Sequence, residues 1–204
     1  MRCSMVFFLL LVMALGGCGG SQTLRPAEHY TLEYAPSPVG TQVRLDEGMK
    51  VERFSTVRTY SGTAVLYRAE PFSLNAYPDR RWMVSPGDLV TDYLVRDVRH
   101  AELFRAVFSY EDVETARYAL EGAVTEFFED RQQAGHPKAV LTVHVTLLDT
   151  SQKELSKRIV FQRNYSFSEA FGAGEPAGPA RGMSRSMNAF SLRLIRDIQE
   201  ALKK

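Results

Sequence analysis

A chain of 204 residues with 25 Lys+Arg against 24 Asp+Glu has a formal net charge of +1, and it shows no basic excess or basic face with which to grip a nucleic-acid backbone. Its 45% hydrophobic and 24% charged residues make a globular composition and exclude a disordered chain.

The N-terminal run "MVFFLLLVMALGGCGG" sets the first expectation. Its apolar centre, Met5 to Leu15, is eleven residues long. A helix that crosses the hydrocarbon core needs about 20, so the run is too short to span. A positive start at Arg2, the apolar centre and the small residues Gly16 and Gly17 follow the order of a secretory signal. Leu15-Gly16-Gly17-Cys18 resembles the bacterial lipobox, which implies cleavage between Gly17 and Cys18, with N-acyl and S-diacylglycerol groups on Cys18. Residues 1–17 are then a lipoprotein signal peptide. Because Cys3 is removed with the signal, the mature chain keeps one cysteine, committed to lipid, and has neither a disulfide framework nor a Cys-based metal site. A doubly or triply acylated residue anchors stably, since each buried CH₂ contributes about 0.8 kcal/mol. Gly19 rather than Asp follows the cysteine, which by the lipoprotein sorting rule favours the outer membrane, periplasmic face.

Residues 18–27 read as a lipidated flexible tether of about 17 Å r.m.s. reach. Removing the signal leaves a neutral mature chain of 204 − 17 = 187 residues with 25 − 1 = 24 Lys+Arg against 24 Asp+Glu, and residues 28–204 are expected to form a single domain. "HYTLEY" at His29 to Tyr34 alternates as a strand does, and "MKVERFSTV" supplies another. "TAVLYRAEPFSLNAY" folds back as a hairpin through Glu70-Pro71. A helix follows: Ser85 caps, Pro86 suits the first position and Asp88 the third, with Val90, Leu94, Val98, Ala101 and Phe104 as its core stripe. "YALEGAVTEFFED" and "AVLTVHVTLLDT" stand at hairpin distance. In the second, Leu141, Val143, Val145 and Leu147 share a buried face, and Thr142, His144 and Thr146 a polar one.

"RIVFQRNYSF" repeats the pattern with Ile159, Phe161, Tyr165 and Phe167, interrupted by Arg163. A Gly/Pro-rich loop, Gly172 to Gly182, precedes a last helix from about Met183 to Leu202 whose stripe is Met183, Met187, Phe190, Leu194, Ile198 and Ala201. The order of elements predicts an α+β fold, a mainly antiparallel sheet with two helices packed on one face.

Catalytic chemistry finds no pattern. There is no G-x-S-x-G elbow, and His29, His100, His136 and His144 have no metal-ligand spacing, so neither a catalytic residue, a metal nor a cofactor is expected. Gly172 and Gly174 hint at a dinucleotide turn, but Ala177 stands where the third glycine is needed and Pro176 intrudes. The adjacent acids Glu111-Asp112 and Glu129-Asp130 point in different directions and do not face each other across a substrate.

One cluster is unusual: Tyr67, Phe72, Tyr77 and the sole tryptophan, Trp82, stand among Arg68, Arg80 and Arg81. Aromatics of this size build cores. With arginines they also anchor interfaces, which makes Tyr67, Arg68, Tyr77, Arg81 and Trp82 a candidate partner interface.

Taken in order, the lipobox, Tyr30-Thr31-Leu32, Tyr67-Arg68, Tyr77, Arg81-Trp82, Pro86, Phe104 with Val107, Leu120-x-Gly122-x-Val124-x-Glu126-Phe127, Leu141-x-Val143 through Asp149, and Ala189-Phe190 resemble the ABC-type transport auxiliary lipoproteins. The expanded loop at Gly172 to Gly182 departs from that pattern. The resemblance implies an α+β domain on the outer membrane that serves a mammalian-cell-entry (MCE) type ABC transporter of lipids or other hydrophobic molecules. Its implied partners are the MCE-type substrate-binding protein and the membrane, without nucleic acid, and homo-oligomerisation stays open. A general envelope assembly or structural lipoprotein is the alternative.

Overall fold

Alternation is longest and cleanest in Lys138–Asp149, and this strand with Tyr118–Asp130 paired beside it is the frame on which the rest is laid. The computed structural model describes residues 26–38, 40, 44–175 and 177–203. In chain order the strands are β1 (Glu28–Tyr30), β2 (Leu45–Val51), β3 (Ser55–Thr56), β4 (Ala64–Arg68), β5 (Asn75–Trp82), β6 (Phe104–Ser109), β7 (Tyr118–Asp130), β8 (Lys138–Asp149) and β9 (Ile159–Ala170). The α-helices are α1 (Pro86–His100), α2 (Leu155–Arg158) and α3 (Gly178–Leu202).

All nine strands join one sheet. Along one edge of β7 run β2, β3 and β4 in succession, each parallel to it, with Met49 opposite Tyr118, Ser55 opposite Ala123 and Tyr67 opposite Glu129. The other edge carries β8 antiparallel, and β9 continues antiparallel beyond it. β6 lies parallel to β2, β5 antiparallel to β4, and β1 parallel to β5.

Five of the eight strand pairings are therefore parallel. The expected mainly antiparallel sheet with two helices on one face is wrong: the sheet is mixed, and the described residues form three α-helices. The reason is physical. Alternation reports which face of a strand is buried, but not which strand it pairs with or in which direction. Parallel pairs need a crossover, and for the β2–β6 pair the long stretch of chain that ends in α1 supplies it. α2, a single exposed turn between β8 and β9, has no apolar stripe to announce it.

Local chemistry explains the better-read elements. Ser85 Oγ accepts the Asp88 amide at 3.3 Å and donates to the Asp88 carboxylate at 2.7 Å, so α1 starts at Pro86 as its capping residues dictate. Its stripe is buried as expected, although Ala101 and Phe104 lie just beyond the helix. The β4–β5 and β7–β8 hairpins form where the turns are. By contrast β1 ends at Tyr30. Beyond it Leu32 is buried, its carbonyl accepts from the Tyr93 hydroxyl, and Tyr34 stacks on Tyr93 at 5.3 Å. Docking onto α1 replaces strand pairing there.

α3 begins at Gly178, five residues before Met183. Gly and Pro have poor helix propensity, but Pro is tolerated in a first turn, and the burial of Pro179, Ala180 and Met183 overrides the local preference. A Cβ on Gly178 would lie 2.5 Å from the Phe171 ring, so the loop and helix close together only with glycine here. In β7, Gly122 is fixed by the same argument, since a Cβ there would stand 2.2 Å from the Phe54 ring and 2.4 Å from the His144 carbonyl.

α1 packs against β2, β3, β6 and β7, α3 against β8 and β9, and the two helices touch each other. Phe54, Phe190, Met49, Leu94, Leu120, Leu141, Met183 and Met187 are completely enclosed in one continuous core. The interruption at Arg163 is resolved by this packing. Its guanidinium reaches Asp197 of α3 at 2.8 Å, and Asp197 also takes Arg193 at 3.1 Å and the Tyr165 hydroxyl at 2.8 Å.

Candidate functional site

The β4–β5 hairpin carries the unusual aromatic and arginine residues, and the structure divides them into two groups. Trp82 belongs to the core. It is 3% exposed, its ring meets Phe127 edge-on at 5.1 Å and Tyr30 at 6.3 Å, and its backbone N–H donates to the Thr63 carbonyl. It fixes the base of the hairpin and presents no surface.

Tyr67, Arg68, Tyr77 and Arg81 are half-buried nearer the outside. The Tyr67 and Tyr77 rings lie 4.6 Å apart across the strand pair. The Tyr77 hydroxyl donates to the Glu129 carboxylate at 2.7 Å and accepts from Arg131 at 3.2 Å, and Arg131 stands 3.5 Å from that carboxylate. Burial first, and then the hydrogen bond to Glu129 and its charge, push the Tyr77 hydroxyl up to about 12. It therefore stays a donor at neutral pH. Glu129 itself is buried, and this network is what satisfies it.

The remaining guanidinium groups sit on aromatic faces: Arg68 over Phe128 at 4.3 Å, Arg80 over Tyr77 at 4.5 Å, and Arg131 over Tyr67 at 5.6 Å. Arg81 donates to the Tyr77 and Arg80 carbonyls at 3.0 and 3.2 Å. Among the described residues Arg68, Arg80 and Arg81 form no ion pair, whereas Arg131 has Glu129. Stacking positions these cations and leaves N–H donors to spare.

Beside the cluster opens a cavity of about 780 Å³, with Tyr30, Tyr77, Arg80, Glu129 and Arg131 on one side. Phe171, Ala173, Gly174, Glu175 and Ala177 of the Gly/Pro-rich loop, with the turn that carries Gln133 and Pro137, form the other. Glu129, Arg131 and that loop are the members sequence reasoning missed. The Glu129-Asp130 pair gave the only signal: Glu129 turns in to Tyr77 while Asp130 accepts the Gln132 amide, so the two acids do diverge.

Other sequence candidates lie apart. His29 is in β1, His100 ends α1, His136 is in the β7–β8 turn, and His144 on the polar face of β8 bonds Asn164 at 2.8 Å. Among the described residues no three His, Cys, Asp or Glu are grouped to hold a metal ion, and no helix is long and apolar enough to cross a membrane. Gly17 and Cys18 lie outside the described residues.

The solved structures similar to this one share its fold. A Xanthomonas campestris protein, XCC0632 of family DUF330, superposes with a TM-score of 0.76 at 19% identity over 86% of this chain and 96% of its own. A second structure, titled only as an uncharacterized protein, gives 0.67 at 12% identity over 85% and 99%. Comparison with curated proteins gives no match. The model of the family described as the ABC-type transport auxiliary lipoprotein component matches residues 30–194. That match takes in β2 to β9, α1, the stacked arginines and most of α3, and by it the chain belongs to the ABC-type transport auxiliary lipoprotein component family.

Proposed function

We propose that the chain is an outer-membrane-anchored auxiliary lipoprotein of an MCE-type ABC transporter, and that it serves the movement of lipids or other hydrophobic molecules by binding protein rather than by catalysis. Family membership supports the transport role. Cys18, with its N-acyl and S-diacylglycerol groups, supplies the anchor, and Gly19 favours the outer membrane. The partner is an MCE-type substrate-binding protein, met through Tyr67, Arg68, Tyr77 and Arg81.

The observation that carries this reading is that the Arg68 and Arg80 guanidinium groups are held on aromatic faces, and Arg81 on backbone carbonyls, without carboxylate partners among the described residues. Such groups combine flat apolar area with directional donors, and carboxylates or exposed carbonyls of a second protein would complete them. Co-purification of the partner with Arg68→Ala and Arg81→Ala variants tests it. Loss of the partner at an unchanged melting temperature is expected. A lowered melting temperature with the partner still bound would return these arginines to a purely structural role. Fatty-acid labelling tests the anchor, and incorporation that ignores Cys18→Ser would reject it.

A further inference from the structure

The β4–β5 hairpin ends in a turn whose sequence conflicts with its backbone. The Ser73 N–H donates to the Glu70 carbonyl at 3.3 Å, Pro71 takes the second place, and Phe72 in the third has φ 63°. Turns with proline second and a left-handed third residue ordinarily put Gly or Asn there. Phe72 is moreover fully exposed. An aromatic ring here gains no packing and holds the backbone where glycine would rest more easily, so neither the core nor the turn accounts for it.

The position of this tip in the molecule suggests what does. β1 runs parallel to β5, with Glu28 opposite Arg80 and Tyr30 opposite Trp82. Since β5 leads away from the tip, the chain enters β1 from the tip's side. Only Gly19 to Arg25 separate Cys18 from Pro26, a reach of at most about 30 Å at about 3.3–3.6 Å per residue. An anchor on Cys18 would therefore hold this end of the domain towards the bilayer.

The tip is also layered. Foremost is the Phe72 ring; behind it lie the paired phenols of Tyr67 and Tyr77, with the Arg68 and Arg80 guanidinium groups on aromatic faces. A lipid surface presents its groups in the matching order, an acyl boundary beneath headgroups that favour phenol and guanidinium. Glu70, Glu129 and Asp130 offset Arg68, Arg80 and Arg131 at this end, so attraction to anionic lipid does not drive the contact.

We infer that the hairpin tip is a second, non-covalent membrane contact, with Phe72 entering the acyl–headgroup boundary of the bilayer that holds Cys18. It rests on the lipoprotein reading for bringing the tip to that surface. One aromatic ring binds reversibly, so its effect is to orient the domain and set its cavity beside the membrane, where a transporter partner would arrive.

Because Trp82 is the only tryptophan and is buried, Phe72→Trp adds a single surface reporter. The whole mature chain, carrying Cys18→Ser and an N-terminal hexahistidine, is held on phosphatidylethanolamine–phosphatidylglycerol vesicles by nickel-chelating lipid. The tip is then read whether or not cells acylate Cys18. A blue-shifted emission that is mostly lost when the acyl chains are brominated, and that high salt does not restore, is expected. Emission that stays at its aqueous wavelength and answers only to iodide in solution overturns the inference. As a control, Phe72→Gly should melt at or above the temperature of the parent; a clear fall would show that Phe72 packs and would equally overturn it. Fatty-acid labelling of Cys18 is a separate measurement, so failure of the anchor and failure of the tip are told apart.

Discussion

Arginine is used in opposite ways at two places on this sheet. On the β9–α3 side, Arg163 and Arg193 converge on Asp197, which is 3% exposed and also accepts from Tyr165. At the β4–β5 hairpin, Arg68 and Arg80 rest on rings and Arg81 on carbonyls, with no carboxylate partner among the described residues. A paired guanidinium has its donors consumed and ties two elements together. A stacked one is positioned and keeps its donors. The first arrangement holds the fold, and the second suits recognition.

The largest effect should come from the core beneath the paired side. Val143 of β8 is fully buried, and Val143→Asp should cost about 4 kcal/mol or more, enough to abolish the thermal transition or lower it by tens of degrees. Its neighbour on the other face tests the register. Thr142 donates to Glu126 at 2.6 Å, so Thr142→Asp replaces a hydrogen bond with a second carboxylate and should cost about 1 kcal/mol. Equal losses from the two would show that β8 is buried on both faces.

Next in size, Asp197→Ala should lower stability by about 2 kcal/mol in chemical denaturation, because it leaves the buried Tyr165 hydroxyl without its acceptor. Its two arginines are roughly half exposed and can turn to water. A negligible loss would break the comparison from the paired side.

Asp149 gives a pH test of pairing at the far end of β8. Burial alone would raise this carboxyl, but hydrogen bonds from Arg117 and Ser151 overcome that and hold it at about 2, below its ordinary value of 3.8. A depressed carboxyl contributes stability that is present above its unfolded value and is lost as pH falls through the folded one. Denaturation midpoints should therefore decline between about pH 4 and pH 2, and Asp149→Asn should flatten that decline. An unchanged acid limb in the variant would remove Asp149 from this role.

The smallest expected change in stability belongs to the hairpin. Arg68→Ala should cost no more than about 1 kcal/mol, the worth of an exposed cation–π contact. A loss as large as that of Asp197→Ala would mean that both sides use arginine for the fold.

Legibility followed the range of the interactions. The hairpins, the Ser85 cap and the alternate faces of β8 depend on neighbours in sequence, so they could be read. Parallel pairing of β2, β3 and β4 with β7 depends on residues far away in the chain, and no periodicity encodes it. The same holds for side chains: Arg163 looked like a break because Asp197 lies on another element. Trp82 and Arg68 looked alike as site residues, and only packing separates the buried ring from the half-buried cation. Within the site, Arg131 and Glu129 were hidden because their meaning comes from Tyr77, which approaches from β5.

The parallel track of β2, β3 and β4 on β7 also has a kinetic consequence. Met49 waits for Tyr118 and Tyr67 waits for Glu129, whereas β7 and β8 each pair with the next strand in the chain. Closing distant loops is slow, so the β7–β8–β9 meander should form first and serve as the template on which the earlier strands settle. Pulse-labelled hydrogen exchange should then protect the Leu141 and Val143 amides before those of Met49 and Val51, and the reverse order would refute this sequence of events. For a chain that emerges N-terminus first, more than a hundred residues would have to appear before its first strands could find their template, leaving apolar Met49, Val51 and Phe54 exposed to chaperones in the meantime.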